Sequence, residues 1–381
     1  MNINLFIFEF KKTLKQKKNI FFLSSSVALV IIFLTLNYNI ENSREESRLE
    51  SLKFTVEESS KVINELPKIL EGREPTEIKA IVERKKNEKE LVEKQITSLE
   101  YNNWKDYLEI QLKLDQNFLK GIKDGSLFGG EPIESVEYRI AMNNELLQKN
   151  IEPTDELYST KGFNFLNSVM SYALSYVGII LIVFFIGDKL SRELEKGTIR
   201  FLFTQPISRI SALNSKFIFA VLSSLLLILV VALTSFISGS LISGTGTINY
   251  PIIQFNNGIT FINIADNLIQ SGLLFIFIII FIVSITLLIA TISSNSIISI
   301  GLTILLLGLG AFSIERYDVL SNVAHLLPFT YIDTPKIING YFAESLNNPN
   351  INLENGIIVT LIFSAIIYSF NIYLLNKKDI L

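Results

Sequence analysis

The chain has no cysteine, one histidine, one tryptophan and nine prolines among 381 residues, and only 19% of its residues are charged. Without cysteine there is no disulfide framework, no thiol nucleophile and no cysteine metal site. His325 has no second imidazole with which to build a metal-ligand set. No nucleophile elbow and no pair of carboxylates inside an apolar run offers another catalytic constellation, so neither a catalytic nor a metal-binding residue is expected. A soluble domain carries about a quarter charged residues. The deficit here accompanies 49% apolar residues and a mean hydropathy of +0.39, which is a membrane protein's composition. A net charge of −3 gives no electrostatic reason to expect a nucleic-acid partner.

What the chain does have is long uncharged runs. Crossing a hydrocarbon core about 30 Å thick takes roughly 20 apolar residues at 1.5 Å each. Six runs qualify: Ile20–Leu36, Phe165–Gly187, Phe217–Ile242, Leu268–Ile292, Ile297–Ile314 and Ile357–Leu375, none with an Asp, Glu, Lys, Arg or His. Only Ser293, Ser294, Asn295 and Ser296 separate the fourth from the fifth. One helix through both would measure about 70 Å, over twice the core thickness, so a tight turn is expected. The expected fold is all-α and polytopic, with six transmembrane helices and an extracellular helical domain between the first two.

Short loops rich in Lys and Arg stay cytoplasmic. Lys11, Lys12, Lys15, Lys17 and Lys18 against Glu9 alone put the N-terminus inside. Six crossings then leave three cytoplasmic regions with net charges of +4, +3 and +1, and residues 41–163, net −7, outside. The resulting scheme has a cytoplasmic amphipathic elbow helix at 1–18, a first span at 19–40 and an extracellular helical domain at 41–163. Spans 2 to 6 follow at 164–376, with a cytoplasmic segment at 188–209 and an external loop at 315–356, and residues 377–381 form a cytoplasmic tail. The first apolar run is 17 residues long and has no small-x-small cleavage site after it, so it reads as a retained anchor and not as a cleaved signal peptide.

Residues 41–163 repeat apolar positions three and four apart, as in Leu49, Leu52, Val56 and then Val62, Ile63, Leu66, with charges between them. Pro67, Pro75, Gly121, Gly130, Pro132 and Pro153 divide the pattern into four helices. A substrate-contacting lid and a dimer-stabilising spacer both fit such a domain.

The chain has no visible energy source. It lacks the G-x-x-x-x-G-K-[ST] loop whose amides and lysine cradle nucleotide phosphates. Ion-driven carriers place ionisable groups inside the bilayer at a cost of several kcal/mol, and these spans offer only Ser, Thr, Asn, Gln and Tyr. No ring of charges or filter-like sequence suggests a channel. Energy is therefore expected from another subunit docked on the cytoplasmic face, and no cofactor is expected on this chain.

The segment 188–209 reads Asp-Lys-Leu-Ser-Arg-Glu-Leu-Glu-Lys-Gly-Thr-Ile-Arg-Phe-Leu-Phe-Thr-Gln-Pro-Ile-Ser-Arg. Gly197 suits the left-handed residue that ends a helix, and Thr198 suits the cap of a short apolar helix over Ile199–Phe203. Pro206 stops that helix, and Ser208 can cap the third span, whose first turns carry Arg209 and Lys216. The pattern Glu193-x-x-x-Gly197-Thr198, an apolar run, Thr204-x-Pro206-Ile207-Ser208-Arg209 and then Lys216 resembles the hallmark of the type-2 ABC exporter permeases, membrane subunits of ATP-binding-cassette transporters. Glu9-Phe10-Lys11-Lys12 is similar to that family's elbow helix, and Leu327-Pro328-Phe329-Thr330 resembles its outer loop before the last span. The 41–163 insertion is larger than the family's minimal first loop.

The resemblance implies a bacterial cell-membrane half-transporter that pairs with a second permease chain, identical or not, and with two ATPase subunits that use ATP and Mg²⁺. It implies that Arg192, Glu193, Gly197, Thr198, Arg200, Phe201, Thr204, Pro206 and Arg209 couple ATP-driven movement to the spans. Uncharged spans suit a hydrophobic or amphipathic passenger such as a peptide, antibiotic or lipid-like compound. A membrane-embedded sensor or scaffold that binds a ligand through the 41–163 domain is the alternative.

Overall fold

A computed structural model describes residues 16–69, 75–123, 130–198, 208–255 and 258–377. The chain divides into two compact units, one from Thr35–Ser159 and the other from the rest. Helix α1 (Lys17–Ile69) contributes to both.

In the Thr35–Ser159 unit, α1 is followed by α2 (Pro75–Glu100), α3 (Trp104–Lys123) and α4 (Ile133–Lys149). Val92, Leu108, Val136 and Leu146 are each at most 4% exposed and form its apolar core. A polar string runs through it. Gln95 donates to Gln111 at 2.7 Å, Gln111 to Asp115 at 2.9 Å, and the Arg139 guanidinium grips both oxygens of Asp115 at 2.7 to 3.1 Å. Arg44 of α1 meets Asp155 at 3.0 Å and lies over the Tyr158 ring, which holds the end of this unit to its first helix.

The other unit holds the spans. Among the described residues, five helices are long and apolar enough to cross a membrane, and a bent pair makes a sixth. The first is the start of α1. The bent pair is α5 (Gly162–Ala173) and α6 (Tyr176–Ile186), and a short α7 (Ser191–Glu195) follows it. Then come α8 (Arg209–Ser243), a hairpin of β1 (Pro251–Phe255) and β2 (Ile259–Asn263), α9 (Ile264–Ser293) and α10 (Ser296–Arg316). Two 3₁₀ helices (Asp318–Leu326, Pro328–Ile332), α11 (Thr334–Ile338) and α12 (Tyr341–Ser345) lead into α13 (Leu353–Lys377). The centre is α9, whose Leu274, Phe275, Ile278, Ile279, Phe281 and Ile282 are at most 1% exposed.

The expected turn between the fourth and fifth spans is built as its sequence suggests. Ser294 adopts φ +51°, and Asn295 Oδ1 accepts from the amides of Ile297 and Ile298 at 3.0 and 3.1 Å. The second span departs from the continuous helix its apolar run predicts, because α5 and α6 meet at 65°. A carbonyl freed inside a bilayer must find a donor. Leu174 O accepts two, from the amide and hydroxyl of Thr334 at 3.3 and 3.0 Å. Gly178 permits the break, since a Cβ there would lie 1.8 Å from Ala173 O. The two-stranded hairpin also departs from a purely helical reading. It pairs Ile252 with Ile262 and Pro251 with Asn263.

A candidate coupling layer at one end of the spans

α7 is only five residues long, yet the acids in and before it reach three other helices. Their positions follow from helical spacing. Asp188 lies just after α6, and its buried carboxylate binds Lys18 of α1 at 2.9 Å and Arg192 at 3.6 Å. Glu193 binds Lys216 of α8 at 2.7 Å, with side chains 14% and 2% exposed. Glu195 accepts from the hydroxyl and amide of Ser296, the first residue of α10, at 2.8 and 3.2 Å.

The surroundings of Lys216 favour such a pairing. This lysine sits on the face of α8 that buries Ala212, Leu213, Ser215, Phe219 and Ala220. A lysine placed there without a carboxylate would be an uncompensated buried charge. Lys189 is buried in the same layer, with its Nζ 5.4 Å from the centres of the Phe185 and Phe219 rings.

The far end of the layer is fixed by Arg209. Its Nη1 donates to Leu375 O and Asn376 O at 2.9 and 3.2 Å, satisfying carbonyls that the end of α13 leaves open. Tyr368 of α13 donates its hydroxyl to Asn214 Oδ1 of α8, and Thr291 of α9 donates to Asn371 Oδ1 at 2.7 Å. Ser208 caps α8 by accepting from the Ser211 amide at 3.1 Å, as its sequence position predicts.

The residues expected to couple are thus only partly brought together. Arg192 and Glu193 belong to the ion-paired layer, and the Arg192 side chain is 48% exposed. Gly197 has φ +66° with open space around its missing side chain, so backbone conformation is what selects glycine there. Thr198 turns its hydroxyl back toward Glu193 O at 3.5 Å. Arg209 serves the end of α13. Arg200, Phe201, Thr204 and Pro206, the apolar helix expected at Ile199–Phe203 and the elbow residues Glu9, Phe10, Lys11 and Lys12 lie outside the described residues.

Sequence reasoning did not assign Lys18, Asp188, Glu195 or Ser296 to this layer. One signal was available: in the register of α8, Lys216 falls among apolar positions, and a charge there needs an acid nearby. Among the described residues no three His, Asp or Glu side chains are grouped so as to hold a metal ion. His325 Nδ1 lies 3.2 Å from Asn348 Nδ2, which also donates to Ser321 O, so the ring helps to close the loop before α13.

A family model described as ABC-2 family transporter protein matches residues 3–330. No curated protein and no solved structure matches the chain.

Proposed function

Because the chain belongs to the ABC-2 family of transporter proteins, and so is a multi-pass membrane permease subunit that works with an ABC ATPase, we propose that residues 188–209 receive the ATPase's stroke and pass it to the spans. The observation that carries this reading is the placement of α7 and the turn before it: Asp188, Glu193 and Glu195 each hold a different helix, α1, α8 and α10. A push on α7 reaches three spans through bonds of 2.7 to 2.9 Å. Separate floppy loops would dissipate it.

In this reading the layer faces the cytoplasm of a bacterial cell, with both termini on that side. Two ATPase copies use ATP and Mg²⁺, this chain binds neither, and a second permease chain completes the pathway. Movement is outward, and the uncharged spans favour a hydrophobic or amphipathic passenger.

The test is Glu193→Gln in vesicles containing the permease and its ATPase. The substitution keeps the side chain's size while removing the charge that Lys216 requires. The expected result is loss of permease-stimulated ATP turnover with the ATPase still recovered by pull-down. Unchanged stimulated turnover overturns the coupling assignment.

A further inference from the structure

The second span and α8 form a frame that is bonded at both ends. At one end Glu193 of α7 holds Lys216 of α8 at 2.7 Å. At the other, the amides of Gly162 and Phe163, which open α5, donate to Gly244 O and Thr245 O just past α8 at 2.8 and 2.9 Å, and the Thr160 and Ser243 hydroxyls meet at 2.6 Å. One side of the frame is α8, 35 residues of helix without a proline. The other side bends by 65° at Leu174 and Ser175, between α5 and α6. With both ends held and α8 unbroken, a push on α7 that slides one side past the other is taken up at that bend.

The bend is imposed by later parts of the chain. The run Phe165–Gly187 contains no proline, and its 23 residues would make a helix of about 35 Å, enough to cross a core about 30 Å thick without a break. Thr334 gives Leu174 O its two donors, and Tyr176, the first residue of α6, donates its hydroxyl to Glu315 Oε1 of α10 at 3.0 Å. Straightening exchanges these bonds for one the span makes with itself, because in a continuous helix Leu174 O takes the amide of Gly178, four residues on. Both forms therefore satisfy the same carbonyl, as a two-state joint inside a bilayer must. Gly178 suits both. A Cβ there would strike Ala173 O in the bent form, whereas a continuous helix accepts alanine readily.

We propose that Thr334 and Glu315 latch the second span in its bent form, and that the ATPase's stroke on α7 releases the latch and straightens the break. The outer ends of α5 and α8, bonded to each other, move with it. This inference rests on the coupling reading above and names the joint that moves.

The absence of cysteine allows one spin-label pair, placed at Ser168→Cys and Phe184→Cys. These positions lie 16 residues apart, about 24 Å along a straight helix and about 20 Å across a 65° bend. Double electron–electron resonance is recorded in phosphatidylglycerol and phosphatidylethanolamine vesicles holding the labelled permease with its ATPase. Without nucleotide the shorter distance should dominate, and trapping the ATPase with ATP and vanadate should lengthen it by about 4 Å. Gly178→Ala should give the longer distance without nucleotide. Tyr176→Pro fits the start of α6 behind the extended Ser175 (φ −131°) but cannot sit inside a continuous helix. It should keep the shorter distance under trapping and lose permease-stimulated ATP turnover. A distance indifferent to trapping in the otherwise native span, or full stimulated turnover in Tyr176→Pro, overturns the proposal. Should Tyr176→Pro fail to insert, the double variant Thr334→Val with Tyr176→Phe, which lacks both latch hydroxyls, decides: a shift toward the longer distance without nucleotide supports the latch, and no shift overturns it. If the native permease stimulates its ATPase while the distance stays fixed, only this inference fails. If stimulation itself is missing, the coupling reading fails first and this inference with it.

Discussion

In the Thr35–Ser159 unit, Asp115 keeps its bonds among neighbours: Arg139 from α4 and Gln111 one turn away on its own helix. Around α7, Asp188, Glu193 and Glu195 each leave the element that carries them and hold α1, α8 and α10 in turn. Both arrangements are built on carboxylates, but a network closed on one small core fixes packing, whereas a network fanned out from one short segment ties distant elements to a common point. The first resists deformation locally. The second makes displacement of the short helix a displacement of the spans.

The largest effect that would sharpen this contrast is Lys216→Met. It removes the 2.7 Å ion pair with Glu193 in a nearly closed site, at a cost of about 4 kcal/mol. Thermal unfolding of the detergent-solubilised protein should fall accordingly, with coupled ATP turnover lost and Lys216→Arg restoring part of both. If stability falls but coupling survives, the layer around α7 is a staple of the same kind as Asp115's, and the contrast breaks.

Asp115→Ala should cost somewhat less, about 3 kcal/mol, because Arg139 keeps Glu131 at 2.9 Å and, with its side chain 36% exposed, can turn to water. Limited proteolysis of the full chain should then cut within residues 75–149 while coupled turnover stays at the native level. Loss of coupling would show the two networks to be linked.

A third effect depends on pH. Asp333 lies outside the spanning helices, where burial holds its carboxyl above the ordinary range despite Lys336 at 3.3 Å. The native protein therefore binds that proton more tightly than the unfolded chain does. Its contribution is complete below the ordinary aspartate value and fades as pH rises through the raised one. Melting temperature should decline with increasing pH across that window, and Asp333→Asn should flatten the decline. Glu195→Gln should be the mildest change, because its carboxylate faces solvent and the amide oxygen can still accept from Ser296. A small loss of coupled turnover with unchanged melting is expected. A collapse as large as that of Lys216→Met would mean that the α10 contact dominates the layer.

Much of the architecture was legible because the bilayer imposes simple demands on sequence. Length and absence of charge mark the spans, Ser208 and Asn295 show their caps, and Gly197 announces its left-handed backbone. The break at Leu174 was not legible. Neither proline nor glycine occupies it; Gly178 lies four residues on within an apolar run, and Thr334 lies 160 residues away. The hairpin does have a sign in the sequence: Pro-Ile-Ile-Gln-Phe and Ile-Thr-Phe-Ile-Asn flank Asn-Asn-Gly, β-prone runs around turn residues. In the candidate site, motif spacing located Glu193. Its partner Lys216 is a property of packing, since a helix register states which face is buried but not which acid will come to meet it.

The bond from Thr334 to Leu174 spans 160 residues of chain. A ribosome that has delivered the second span has not yet made the threonine that satisfies it. Until nearly nine-tenths of the protein is synthesised and inserted, that carbonyl must borrow a donor from water, from lipid headgroups or from the insertion machinery, so the kinked span matures late. A chain stopped before residue 334 should leave this span straight or only shallowly inserted.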